Sequence, residues 1–165
     1  MSSSFFGKGN SSSNGNFTLE EKVGDLFVDA DQSASLAHCV SQCLSMSKGI
    51  AVEFKKRFSK VVELKAQNKV VGDMAVLSIK DGRYIYYLVT KSKYWGKPTY
   101  ATLEKSLREM HQHIIDHKVP ILAMPKIGCG LDRLDWDRVK QMLHEIFADV
   151  SHSFKIQVFT LPHKA

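Results

Sequence analysis

Apolar and polar positions alternate through FTLEEKV, Phe17–Val23, which is the period of a strand with one buried face, and Gly24-Asp25 breaks the run. Between Ser33 and Ser41 the apolar Leu36, Ala37, Cys39 and Val40 predict a short buried strand, followed by a small-residue loop to Gly49. Ile50, Phe54 and Phe58 then recur at i, i+4 and i+8, so a helix is expected over 50–58, with Lys55, Lys56 and Arg57 turned partly outward. MAVLSIK, Asp81-Gly82 and RYIYYLVT read as a hairpin, because Asp-Gly supplies the positive φ angles of a two-residue turn. From about Thr99 to His117, Leu103, Leu107, Met110 and Ile114 return at helical spacing. ILAMPKI follows Pro120 as an apolar strand that Gly128-Cys129-Gly130 ends. A helix from about Asp135 to Asp149 turns Trp136, Val139, Leu143 and Ile146 inward, and Ile156 to Leu161 closes the pattern as a strand.

Helices alternate with strands, which argues for an α/β fold: a mixed sheet between helices, with ligands received at the carboxyl ends of the strands. Met1–Asn16 is rich in Ser, Gly and Asn and nearly free of aliphatics, so it is expected to be a disordered tail, with 17–165 forming one domain. A hydrophobic content of 44% over 165 residues is enough for one sizeable core. The first residues carry neither an apolar signal core nor an Arg-rich amphipathic pattern. No apolar run reaches the roughly 18 residues of a membrane span, so no membrane partner is expected.

A formal net charge of +6 favours anionic partners. Lys48, Lys55, Lys56, Arg57, Lys60 and Lys65 would form a surface for nucleic acid, against which stands the plainer reading of a solvated basic helix face. Three cysteines without framework spacing point to reduced thiols in an intracellular compartment. His38, Cys39, Cys43 and Cys129 lack the close Cys pairs of structural zinc sites, and HIIDH, with His113 and His117 one turn apart, lacks the glutamate of a zinc-protease helix. No metal or cofactor is therefore called for. Cys129, between two glycines, would serve as a thiol nucleophile only beside a histidine base that the sequence does not identify.

The segment PKIGCGLDRLDW, 125–136, carries the strongest local hint of chemistry. It joins a buried strand to a helix, and there glycines let backbone amides converge on a phosphate beside the positive end of the helix. On glycine spacing alone a plain tight turn would be the better reading.

The chain nevertheless resembles the macrodomains, closest to the terminal ADP-ribose protein glycohydrolase branch, over about Val23 to Leu161. The resemblance rests on GDLF (24–27), SLAHCVS (35–41), GIAVEFKKRF (49–58), DGRYIYYLVTK (81–91), KPTY (97–100) and PKIGCGLDRLDW. It implies a three-layer α/β/α sandwich with a central mixed sheet and a cleft for ADP-ribose at the strand ends. It further implies that Asp25 and Leu26 meet the adenine and that Leu161 borders the nucleoside pocket. Lys126, Ile127, Gly128, Cys129, Gly130 and Leu131 would hold the diphosphate and distal ribose, with Gly49 and Ile50 on the opposing loop. Lys91 matches the branch's nucleophile and Asp132 its acid/base.

The activity so implied is removal of mono-ADP-ribose from Glu or Asp side chains of proteins, and deacylation of O-acyl-ADP-ribose, by a monomer. A non-cleaving ADP-ribose or poly(ADP-ribose) reader is the alternative. Lysine's ordinary pKa is about 10.4, so the site must favour the neutral amine: Lys93 nearby would help, and a close ion pair with Asp132 would oppose. Ser47-Lys48 stands where the family loop is usually small, Lys126 where arginine is common, and Ser92–Gly96 matches nothing in the family pattern.

Overall fold

A computed structural model describes residues 16–162. The disordered tail expected over 1–16 lies outside them, except that the Asn16 carbonyl already accepts from Phe154 N at 2.8 Å. In chain order the elements are β1 (Phe17–Val23), α1 (Leu26–Asp29), β2 (Ser35–Ser41), α2 (Ile50–Phe58), α3 (Val61–Lys65), β3 (Met74–Ile79), β4 (Arg83–Lys91), α4 (Tyr100–His117), β5 (Ile121–Pro125), α5 (Trp136–Phe147) and β6 (Phe154–Thr160). They form a six-stranded sheet of order β1-β6-β5-β2-β4-β3. All neighbours pair in parallel except β3 with β4, so the sheet is mixed and the first five strands in that order end on one edge.

Alternation along the strands decides which core each residue joins. On β4, Tyr86 and Leu88 pack with Leu103, Leu107, Met110 and Ile114 of α4 and Val139, Leu143 and Ile146 of α5. Ile85, Tyr87 and Val89 turn to the other face and pack with Phe54 of α2 and Leu64 of α3. Helices therefore cover both faces, giving the α/β/α sandwich expected.

The β3–β4 hairpin differs in one residue from its expected turn. Ile79 pairs with Arg83, so three residues, Lys80–Gly82, make the connection as a 3-10 turn. Asp81 (φ 63°) and Gly82 (φ 72°) do adopt the positive φ angles read from the sequence, but Lys80 is drawn into the turn with them. β5 stops at Pro125, before the glycines expected to end it. At the basic helix, Lys55 Nζ donates to Ser45 O at 3.1 Å, while Arg57 lies 3.5 Å from Glu53 and covers the Phe27 ring at 4.6 Å. These two cations thus also brace α2.

His38 on β2 is fully buried, its ring stacked 3.7 Å from Phe54 and edge-on to Tyr87. Neither ring nitrogen has a hydrogen-bond partner among the described residues. Burial pulls its pKa from 6.5 down to about 3. The unfolded chain therefore takes up a proton near pH 6.5 that the folded chain refuses until about pH 3, so His38 makes stability fall as pH drops through that window, by up to about 1.4 kcal/mol per pH unit. Urea unfolding between about pH 7 and 5, above the carboxylate range, should show the midpoint falling with pH, and His38→Leu should flatten that slope. An unchanged slope in the variant would remove His38 from the account.

Candidate active site

The parallel strands bring Val23, Thr160, Pro125, Ser41 and Lys91 to one edge of the sheet, in that order from β1 to β4. Four inter-strand spacings of about 4.8 Å make this row roughly 19 Å long, the scale of an extended dinucleotide-like molecule. A cleft of about 660 Å³ opens above the β5, β2 and β4 part of the row.

Three loops wall it. The first runs from β2 to α2 and ends at Gly49, which has φ 61° and ψ −150°, a conformation essentially reserved for glycine. The second links β5 to α5. In it Gly128, at φ 74°, lets its carbonyl accept from Leu134 N at 2.7 Å, and Cys129 N donates to Lys126 O. A Cβ on Gly49 would stand 3.5 Å from Leu131 Cδ1, so these two loops approach each other across the cleft. The third follows β4 and carries Tyr94, Trp95, Gly96 and Lys97.

Lys91 ends β4 at an irregularity: Val40 pairs with Val89 but Ser41 pairs with Lys91, so Thr90 is an extra residue on β4. Such a bulge re-aims the next side chain. Lys91 Nζ reaches Asp132 Oδ1 at 2.6 Å, with each side chain only 15% exposed. Asp132 is presented by the turn in which Arg133, at φ 65°, donates its N–H to Gly130 O. Leu131, next to it, has its carbonyl held by Lys97 Nζ at 3.1 Å. A cation and a carboxylate 41 positions apart are thereby fixed together in the wall of a cavity. That arrangement is one of proton exchange beside a potential nucleophile.

Of the residues to which the resemblance gives a role, Lys91, Asp132, Gly49, Ile50, Lys126, Ile127, Gly128, Gly130 and Leu131 line this one cleft. It does not place Cys129, Asp25, Leu26 or Leu161 in the same lining. The Cys129 thiol turns inward to Ile127 O at 3.2 Å, and burial pushes its pKa up to about 11, so at neutral pH it is a thiol and not the nucleophile weighed from the sequence. Asp25 Oδ1 caps α1 by accepting from Phe27 N at 2.8 Å, Leu26 is buried, and Leu161 is exposed. These three cluster at the β1–β6 end of the row, where Gly24 N donates to Thr160 O.

Lys93 lies over the Trp95 ring and Lys48 over the Tyr94 ring, at 5.4 and 5.7 Å from the centroids. Tyr94, Trp95, Lys97 and Arg133 line the cleft but were not singled out from the sequence. The available signal was KSKYWGK, aromatics set among lysines immediately after Lys91.

Comparison with known proteins gives three findings. The family model "Macro domain" matches residues 30–143. Over 138 residues the chain is 51% identical to the human protein "ADP-ribose glycohydrolase OARD1", covering 84% of this chain and 88% of that protein. Among solved structures, the macrodomain of Thermus aquaticus DarG superposes with a TM-score of 0.76 at 25% identity, covering 87% of this chain and 99% of that one.

The glycine loop yields a paired test. A Cβ at Gly128 would meet Leu134 Cδ1 at 2.9 Å in a positive-φ backbone, whereas one at Gly130 meets nothing within 4 Å. Gly128→Ala should cost about 1–2 kcal/mol and lower Tm by several degrees, with Gly130→Ala near neutral. Equal melting shifts would contradict the assigned loop geometry.

Proposed function

This chain belongs to the macrodomain family, and from that premise we propose that it is a hydrolase that removes mono-ADP-ribose from Glu and Asp side chains of proteins, with Lys91 as nucleophile and Asp132 as acid/base. The observation that carries the proposal is the 2.6 Å contact between these two side chains in the cleft wall.

Only a neutral amine is nucleophilic, so a proton must leave Lys91 before attack; the close pair with Asp132, which opposes that loss while both groups are charged, is also its shortest route, to Oδ1 at 2.6 Å. The amine then bonds to the anomeric carbon of the distal ribose. The bond from that carbon to the acyl oxygen breaks, and the carboxylate departs with the electron pair. A carboxylate is a stable anion at neutral pH, so departure needs little acid assistance. Water adds to the lysine–sugar adduct, proton transfers pass through Asp132, and free ADP-ribose leaves with the amine restored. ADP-ribose acylated on its anomeric oxygen, which has the same carbon-to-acyl-oxygen bond, is a second substrate by the same chemistry.

Lys126 and the loop 127–131, apart from the Cys129 amide that is turned back to Lys126 O, are assigned to the diphosphate and distal ribose, facing Gly49 and Ile50. An open backbone beside the start of α5 suits an anion. Asp25, Leu26 and Leu161 are assigned to the adenosine end, because they flank the far end of the same row of strand termini.

The assay is release of ADP-ribose from a Glu-modified protein. The wild-type chain should release it, and Lys91→Ala should be slower by at least about a thousandfold, the scale seen when a covalent nucleophile is removed. Undiminished label with the wild type, together with tight binding of ADP-ribose, would make the protein a reader of the mark and end the hydrolase proposal.

A further inference from the structure

The loop after β4 presents an aromatic pair at the mouth of the cleft. Tyr94 is 43% and Trp95 64% exposed, and their rings meet edge to face at 4.9 Å. Exposed aromatics of this size beside a site mark contact surfaces. The same rim carries Lys48 and Lys93, one over each ring, with Lys97 and Arg133 lining the cleft below. Among the residues that line the cleft, Asp132 is the sole acid, and it is already paired with Lys91. The rim therefore holds more positive charge than a ribose needs.

The direction of the reaction says what this rim meets. Lys91 is nearly enclosed, so its amine attacks from the wall outward. Displacement at carbon sends the leaving group away from the enclosed nucleophile and toward solvent, and Tyr94 and Trp95 are the solvent-exposed aromatics among the residues that line the cleft. We propose that Tyr94, Trp95, Lys48 and Lys93 form an acceptor-side subsite that binds the peptide around the modified residue and selects acidic sequences. The proposal rests on the hydrolase reading for its orientation.

Charge complementarity favours carboxylates beside the modified Glu or Asp, with the rings covering the peptide's aliphatic stems. Nucleic acid is disfavoured by the geometry: the rings stand at 89° to each other, and one face of each is shared with an ammonium, which leaves no parallel platform for successive bases.

The test uses the full chain carrying Lys91→Ala, so that substrate survives, and compares its Kd for free ADP-ribose with its Kd for a Glu-ADP-ribosylated peptide having acidic flanks. Taking the ratio cancels any effect on the shared ADP-ribose pocket. The peptide should bind about tenfold tighter than ADP-ribose; Trp95→Ala or Lys93→Ala should bring the ratio toward one, as should lysine flanks in the peptide. A ratio near one at the outset, or one that Trp95→Ala leaves intact, overturns the proposal. So does a larger ratio for an ADP-ribosylated single-stranded oligonucleotide, which would give the rim to nucleic acid. Because the ratio is read without turnover, loss of the hydrolase reading shows separately, as a wild-type chain that binds modified peptide and does not cleave it.

Discussion

The site depends on one contact, the 2.6 Å meeting of Lys91 and Asp132. Each charge gives up hydration to reach a largely enclosed position, at a cost of several kcal/mol per ion if unpaired, so the two groups are tolerable there only together. Their meeting follows from the sheet. β5 and β4 both flank β2 and run parallel to it, so the loop leaving β5 and the last residue of β4 arrive on the same edge. The Thr90 bulge and the positive-φ turn at Arg133 then set the final aim of each side chain. A fold that ended these strands on opposite edges would hold the same residues and no site.

That geometry gives the cleft two chemical ends. Toward β6 and β1 lie glycine-rich backbone and the start of α5, an environment suited to phosphate and nucleoside. Toward the mouth lie aromatics and lysines with no acid besides the paired Asp132 among the lining residues. Gly49 and Leu131 bring two of the walls close together, which narrows the cleft where they meet.

Elements with a full hydrophobic period were legible in the sequence. Phe17–Val23 and Ile50–Phe58 have the bounds read from alternation and i, i+4 spacing, because Phe17 and Leu19 pack on the core beneath the sheet and Phe54 is buried against its other face. The short helices α1 and α3 were not, since four or five residues cannot display a helical period. The three-residue turn at Lys80–Gly82 escaped because strand register, and not the Asp-Gly pair alone, decides how many residues the connection uses. The pairing of Lys91 with Asp132 was expected only through resemblance to a family; nothing local to either residue encodes a partner 41 positions away. Cys129 shows the complementary limit: its position in the glycine loop was clear, but the thiol faces Ile127 O because the turn, not the spacing, sets side-chain direction. Tyr94 and Trp95 went unread because a loop has no period to decipher, and only its position beside Lys91 gives it meaning.

In the proposed reaction the amine of Lys91 bonds to the anomeric carbon. An opened lysine–sugar adduct contains a C=N bond that borohydride reduces to a stable amine. Mass spectrometry of the chain incubated with ADP-ribose and borohydride should therefore find the reduced ADP-ribosyl adduct on the peptide containing Lys91, and none when Lys91 is alanine. An adduct confined to other lysines, or equal labelling of the wild-type and Lys91→Ala chains, would contradict the account.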